Sequence, residues 1–230
     1  MLDLITTADG SHSLFSQKFG FSYHSKYGAM QESQHVFIDA GLHHAWQMLA
    51  DVADAAATLR VVEFGFGTGL NALMTLLAAE KMGRKVHYTA FEAYPISLEE
   101  ARSLNYISLF DAEKQRLFFE QMHTCAPNEA IEMGSNFCFE KRLTTFEDLE
   151  DLENWDLVYF HPFTPNAQPE LWETDVLKKV WTAMKPNSFF TTFCAQGQFK
   201  RNLKAADFQV ETLAGPQGKR EMTRAFKKKI

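Results

Sequence analysis

Three observations predict a doubly wound α/β fold with a mostly parallel sheet. Strands and helices alternate through most of the chain. A glycine-rich turn joins the first strong strand to its helix. The last two strands have no helix between them, so they should pair antiparallel and close the sheet with a hairpin. The chain has 230 residues, enough for one such domain, and 46% of them are hydrophobic, enough for a real core.

The first forty residues are mixed, with FSQKFGFSYHS and QHVFID as candidate short extended segments. Gly41–Leu59 reads as helix, with Leu42, Trp46, Leu49 and Ala53 on one face. Leu59–Phe64 is a short apolar run with β-branched residues, as a strand buried on both faces should be. Gly69–Met82 follows as a helix and Lys85–Glu92 as the next strand. Ser97–Asn105 opens with the capping pair Ser97 and Glu100. Asp111–Met122 is helical in pattern, Asn136–Leu143 and Asp156–His161 are strands, and Leu171–Met184 is a helix that should stop before Pro186. Ser188–Phe193 is strand and Phe199–Ala206 helix. Phe208–Leu213 and Met222–Lys227 form the closing hairpin around AGPQGKRE.

Bulk properties narrow the function. The net charge of −6 does not suggest a nucleic-acid binder. The distribution is uneven, however, acidic at Glu147–Asp156 and basic at Lys219–Arg220 and Lys227–Lys229. A local basic patch can still meet phosphates. No apolar run is long enough for a membrane span, and the start MLDLITTADGSHS lacks the features of a signal peptide, so a cytoplasmic protein is expected. Cys125, Cys138 and Cys194 form no pair with metal or redox spacing. His12, His24, His43, His44, His87 and His123 show no ligand spacing either and read as surface or packing residues; no metal is expected.

The sharpest local signal is Val61-Val-Glu-Phe-Gly-Phe-Gly-Thr-Gly-Leu-Asn71. A strand runs into Gly65, Gly67 and Gly69, and a helix begins at once. Glycine tolerates positive φ and lets a ligand approach the backbone, and the helix start offers unpaired N–H groups. A dinucleotide loop wants GxGxxG, but Leu70 stands at its third glycine; a Walker loop wants a Lys that is absent. The pattern Glu63-x-Gly-x-Gly-x-Gly instead resembles motif I of class I S-adenosylmethionine-dependent methyltransferases. An acid before the first glycine suits a cofactor that carries an α-ammonium and a sulfonium. The next strand ends at Glu92, about twenty residues on, where a carboxylate can accept from both ribose hydroxyls.

Further segments point to one family: Glu32-Ser-Gln-His-Val-Phe37, Phe91-Glu-Ala-Tyr-Pro95, His161-Pro-Phe-Thr-Pro165 with Gln168-Pro-Glu-Leu-Trp172, Thr191-Thr-Phe193 and Gly218-Lys-Arg-Glu-Met222. Together with the glycine loop they resemble the methyltransferase domain of the bifunctional tRNA wobble-uridine enzyme that makes 5-methylaminomethyl-2-thiouridine, including its stand-alone forms. The likeness runs from about Tyr23 to Phe226. It implies a Rossmann-like class I fold with a seven-stranded, mostly parallel sheet. Residues 1–230 would form one methyltransferase domain, with 1–58 as extension and cap and 59–230 as core. It also implies methyl transfer from S-adenosylmethionine to the exocyclic amine of 5-aminomethyl-2-thiouridine, with the tRNA anticodon loop as partner.

The cofactor-binding residues expected on this basis are Gln34, Glu63, Gly65, Gly67, Thr68, Gly69, Asn71, Glu92, Ala93, Leu143 and His161. Phe163, Lys219 and Arg220 are the expected substrate contacts. One departure stands out. The family's fourth strand ends in Asp-Gly/Ala-Phe-x-Pro, and this chain has His161 in place of the Asp. A neutral imidazole can accept a proton, so His161 is the candidate catalytic residue, but it lacks the fixed charge that favours a sulfonium. A methyltransferase for another small molecule, a non-catalytic cofactor-binding relative and, more remotely, a nicotinamide oxidoreductase remain alternatives. Neither the oligomeric state nor the tRNA species follows from the sequence.

Overall fold

The computed structural model describes residues 1–50, 57–144 and 154–228. Its main sheet is built from β4 (Leu59–Phe64), β5 (Val86–Phe91), β6 (Ala130–Glu132), β7 (Phe137–Arg142), β8 (Trp155–Phe160), β9 (Met184–Thr192), β10 (Gln209–Ala214) and β11 (Glu221–Lys227). Their order is β10-β11-β9-β8-β4-β5-β7-β6. The central pairs β9-β8, β8-β4, β4-β5 and β5-β7 are parallel, and β11 runs antiparallel to both β9 and β10. The expected seven strands are all present. The eighth, β6, is a three-residue antiparallel edge on β7, too short to show in the sequence pattern.

Residues alternate between the two faces of the central strands, and each face has its own core. Val61 and Leu157 pack on one side with Leu73 and Leu76 of α3 (Leu70–Met82). Val62, Val158 and Phe190 pack on the other with Leu177 of α7 (Thr174–Ala183) and Leu203 of α8 (Gly197–Ala205). Burial on both faces explains why β4 and β8 read as near-continuous apolar runs. Helix α3 ends at Gly83, which takes the left-handed conformation that favours glycine. Between β5 and β7 lie α4 (Leu98–Ser103), α5 (Tyr106–Leu109) and α6 (Arg116–Thr124). The capping box at Ser97 and Glu100 is formed in both directions.

Several local expectations are corrected. QHVFID is not extended: Gln34–His43 is a π-helix, entered from α1 (Ala29–Ser33) and continued by α2 (His44–Ala50). A short apolar run does not distinguish strand from buried helix. Here Val36, Phe37 and Ile38 are all buried, and Thr191 Oγ1 donates to the Val36 carbonyl at 2.7 Å. Residues 51–56 of the expected helix, with Ala53, lie outside the described residues, as does most of the acidic Glu147–Asp156 stretch, and Leu59 belongs to β4 instead. The expected helix at Asp111–Met122 begins as a 3-10 turn, Glu113–Gln115, before α6. Strand β9 starts at Met184 and runs through Pro186. A register irregularity against β8 between Trp155 and Leu157 skips the proline, which has no N–H to donate.

The N-terminal residues form a separate antiparallel sheet, β1 (Leu2–Thr6), β2 (His12–Ser16) and β3 (Phe21–Ser22). It brings Phe19 and Tyr23 against Phe163, which follows β8, with ring centroids 4.6 and 5.0 Å apart.

Candidate active site

Parallel β4, β5 and β8 end on one edge of the sheet, so the residues that follow them converge. The N–H groups of Gly65 and Phe66 donate to the Phe91 carbonyl, and the N–H of His161 donates to the Phe64 carbonyl at 2.9 Å. The glycine loop is thus clamped between the other two strand ends. Gly65 has φ +90, and a Cβ there would stand 2.5 Å from the His161 carbonyl oxygen. Gly67 has φ +52, and its Cβ would stand 2.7 Å from the Tyr23 ring. Both positions therefore require glycine for conformation and for space.

A cleft of about 330 Å³ opens at this edge, within the size range of small-ligand sites. Gly65, Gly67, Glu92, Ala93, His161 and Phe163 line it, with Phe19 and Tyr23 of the N-terminal sheet as its outer wall. Glu92 accepts from the N–H of Gly67 at 2.8 Å and of Tyr94 at 2.7 Å. Burial pushes its carboxyl up, against the lowering effect of those N–H bonds. A carboxylate has about four acceptor positions, and the Ala93 N–H also bears on this one, so a ligand hydroxyl can still be received.

Other expected cofactor contacts lie elsewhere. Glu63 does not line the cleft. It is fully buried behind the loop, where its carboxyl accepts from Asn71 Nδ2 and Tyr88 OH, each at 2.8 Å. Burial pushes its carboxyl up to about 8, opposed by those two hydrogen bonds. Asn71 is buried with it, and Thr68 bonds to His24 Nε2 and Tyr106 OH. Gly69 packs on His123 and caps the start of α3. These residues shape the loop from behind. Gln34 bonds to Asp39 on the exposed side of the π-helix. Leu143 faces solvent, and its neighbour Thr144 lines the cleft instead.

His161 sits at the inner end of the cleft, only 8% exposed. Burial pushes its imidazole down to about 4, with the Lys219 cation adding to the shift and Glu32 opposing it. It is therefore neutral at pH 7. Asn71 Nδ2 lies 3.5 Å from its Nδ1, long for a hydrogen bond. A second, more open cleft is lined by Cys194, Gln196, Lys219 and Arg220, and it shares Thr164 and Phe193 with the first. Phe193 stands edge-on to His161 at 5.7 Å.

The sequence reading missed what gathers beside His161. His24, expected as a surface or packing residue, is buried with its ring centroid 4.9 Å from that of His161. Glu32 is buried too, and one ligand-type atom from each of His24, Glu32 and His161 lies within 4.8 Å of the others. Lys219 Nζ donates to Glu32 Oε1 at 2.5 Å and sits 4.1 Å over the Phe193 ring, so it is committed to the protein rather than held out for phosphate. Arg220 is exposed. The basic C-terminal run is likewise not a loose tail at Lys227, whose ammonium donates to the carbonyls of Trp181, Thr182 and Met184. The resemblance had flagged Glu32 within its motif, but no spacing in the chain links it to His24 or His161.

Residues 119–228 match the model of a family described as S-adenosyl-L-methionine-dependent methyltransferase. The fold matches the crystal structure of MNMC2 from Aquifex aeolicus with a TM-score of 0.75 and 22% identity, over 100% of this chain and 73% of that one. The fold is Rossmann-like, and residues 119–228 are similar to S-adenosyl-L-methionine-dependent methyltransferases. The chain is also similar to the tRNA 5-methylaminomethyl-2-thiouridine biosynthesis bifunctional proteins MnmC. It is 27% identical to that of Idiomarina loihiensis and 29% to that of Burkholderia multivorans, over 90% and 91% of this chain. It spans about a third of their length, 36% and 32% respectively.

The cleft fits the cofactor. Its two glycines present bare backbone where a Cβ would intrude, and Glu92 offers a carboxylate at the tip of the second strand.

Proposed function

We propose that the protein methylates the exocyclic primary amine of 5-aminomethyl-2-thiouridine at the tRNA wobble position, as a cytoplasmic enzyme acting on the anticodon loop. The observation that carries this reading is the likeness to bifunctional tRNA proteins over nine-tenths of the chain. The geometry supports it: two clefts meet at Phe193 and Thr164 beside His161, so one can hold the methyl donor and the other admit the acceptor.

Gly65, Gly67, Glu92 and Ala93 would hold the cofactor. Bound S-adenosylmethionine supplies an electrophilic methyl group on a sulfonium. The acceptor amine must present a lone pair in line with that methyl. An alkyl ammonium has a pKa near 10 in water, judged by lysine at about 10.4, and burial favours its neutral form. His161 is itself neutral and has low proton affinity here, so its role is to accept a hydrogen bond from the amine N–H and aim the lone pair. Phe163 and Phe193 wall the passage and keep water out.

The test is methyl incorporation from labelled cofactor into tRNA that carries the unmethylated aminomethyl group. Incorporation at the wobble nucleoside supports the reading. Cofactor binding without incorporation would mark a non-catalytic relative. One observation favours a small amine as acceptor instead: Lys219 is engaged with Glu32 and Phe193, leaving little basic surface at the second cleft. Incorporation into small primary amines but not tRNA would establish that alternative.

A further inference from the structure

We propose that His24, Glu32 and His161 form the subsite for the acceptor's primary amine, and that Lys219 is the resident cation which that amine displaces from Glu32. This deepens the methyltransferase reading and rests on it.

Four observations carry the assignment. First, one atom from each of the three buried side chains lies within 4.8 Å of the others. Three acceptors about 2.9 Å from a tetrahedral nitrogen stand roughly 4.7 Å apart, within that bound. The spacing accommodates a hydrogen-bonded nitrogen. Second, His24 Nδ1 is buried and has no hydrogen-bond partner among the described residues, while its Nε2 is paired with Thr68 Oγ1 at 2.8 Å. With Nε2–H donating to Thr68, Nδ1 keeps an unused lone pair. A buried polar atom without a partner is costly, and a ligand N–H would satisfy it.

Third, an amine already occupies part of the group. The Lys219 ammonium is bound to Glu32 Oε1 and lies over the face of Phe193, a carboxylate and an aromatic face being what a primary ammonium seeks. The other carboxylate oxygen is fixed by the N–H of Ser25 at 2.8 Å, so Glu32 cannot swing away. Fourth, Lys219 and Phe193 both line the second cleft, and Phe193 and His161 both line the first. Lys219, which lines the second cleft, bonds to Glu32, which lines neither.

The charges balance in this scheme. In the resting state Glu32 is neutralised by Lys219. An incoming ammonium takes the lysine's place, and Lys219 moves toward solvent. The ammonium then passes one proton to the Glu32 carboxylate, which cancels both charges in a buried site, and the nitrogen turns its new lone pair from the Glu32 O–H toward the methyl group. Glu32 thereby supplies, from the N-terminal segment, the proton acceptor that His161, with its low proton affinity, does not.

The test uses ethylammonium as probe, titrated by isothermal calorimetry, together with the tRNA assay. Lys219→Met should bind ethylammonium with a millimolar Kd, the range open to a ligand of so few atoms. The unaltered protein should bind it about tenfold more weakly, because Lys219 competes, and Lys219→Met combined with Glu32→Gln should not bind it. In the tRNA assay Glu32→Gln should lose about 10²-fold in kcat/KM, with cofactor affinity within about threefold. If Glu32→Gln does not fold, Lys219→Met decides alone: no gain in ethylammonium affinity overturns the proposal. Equal probe binding with and without Glu32 also overturns it. So does stoichiometric zinc uptake lost in His24→Ala and Glu32→Gln, which would make the group a metal centre. If tRNA is never methylated but probe binding follows Glu32, the amine subsite stands and the tRNA reading falls.

Discussion

Glu63→Gln separates a cofactor ligand from a buried support. In the folded protein the Glu63 carboxyl is pushed from an ordinary 4.5 up to about 8 by complete burial. Below pH 4.5 it is protonated in both folded and unfolded chains and contributes no pH dependence. Between 4.5 and 8 the unfolded chain releases its proton while the folded chain keeps it, so stability falls as pH rises. At about 1.36 kcal/mol per unit, the loss reaches roughly 5 kcal/mol above pH 8. Glutamine is isosteric and uncharged, and its carbonyl can accept from Asn71 while Tyr88 reorients. The variant should therefore match the unaltered protein at pH 5 and exceed it in stability by about 3–5 kcal/mol at pH 9. Urea unfolding of both proteins without cofactor, at pH 5, 7 and 9, reads this difference. Calorimetry should show cofactor affinity changed by less than about threefold. Parallel stability profiles would refute the burial argument. A large loss of cofactor affinity would return Glu63 to the binding site.

The other predictions concern the cleft and the buried imidazoles. Gly67→Val places a Cβ against Tyr23 in a backbone conformation that suits glycine, so cofactor affinity should drop by more than about tenfold with the circular dichroism spectrum retained; unchanged affinity would remove the glycine-loop argument. Glu92→Ala removes the acceptor at the strand tip and should weaken cofactor binding by about 10–100-fold, measured by calorimetry; a value within threefold would contradict it. His161→Ala should lower kcat by about 10²-fold with little effect on cofactor affinity, and His161→Asp should stay active. Because burial holds His161 near 4, the pH–rate profile of the unaltered enzyme should show no His161 inflection near 6.5; an inflection there that disappears in His161→Asp would refute the assigned role. His161 and His123, pushed down to about 4 and about 3, bind protons in the unfolded chain before the folded one. Their contribution to stability should fall as pH drops from about 6.5, opposite in sign to Glu63, giving a maximum near neutrality in urea midpoints.

The alternation of strands and helices, the capped start at Ser97 and the closing hairpin were legible in the chain, because each depends on residues close in sequence. So were Gly65, Gly67 and Glu92: a glycine turn at a strand end and a carboxylate on the next strand are local patterns whose place the parallel sheet then fixes. The π-helix at Gln34–His43 was not legible, because its short apolar run Val36–Ile38 fits a buried strand as well as a helix. Glu63 shows how a motif can name a residue without revealing where it lies. Its side chain points behind the loop because β4 alternates faces, and its partner Tyr88 comes from the neighbouring strand. The association of His24, Glu32, His161 and Lys219 was decided by tertiary structure alone. These residues come from the N-terminal segment, the end of β8 and the hairpin loop, and only packing of the N-terminal sheet and α1 over the strand ends buries them together. Sequence spacing records neighbours along the chain; the shared burial that sets proton affinities and empties space for a ligand arises between segments far apart in it.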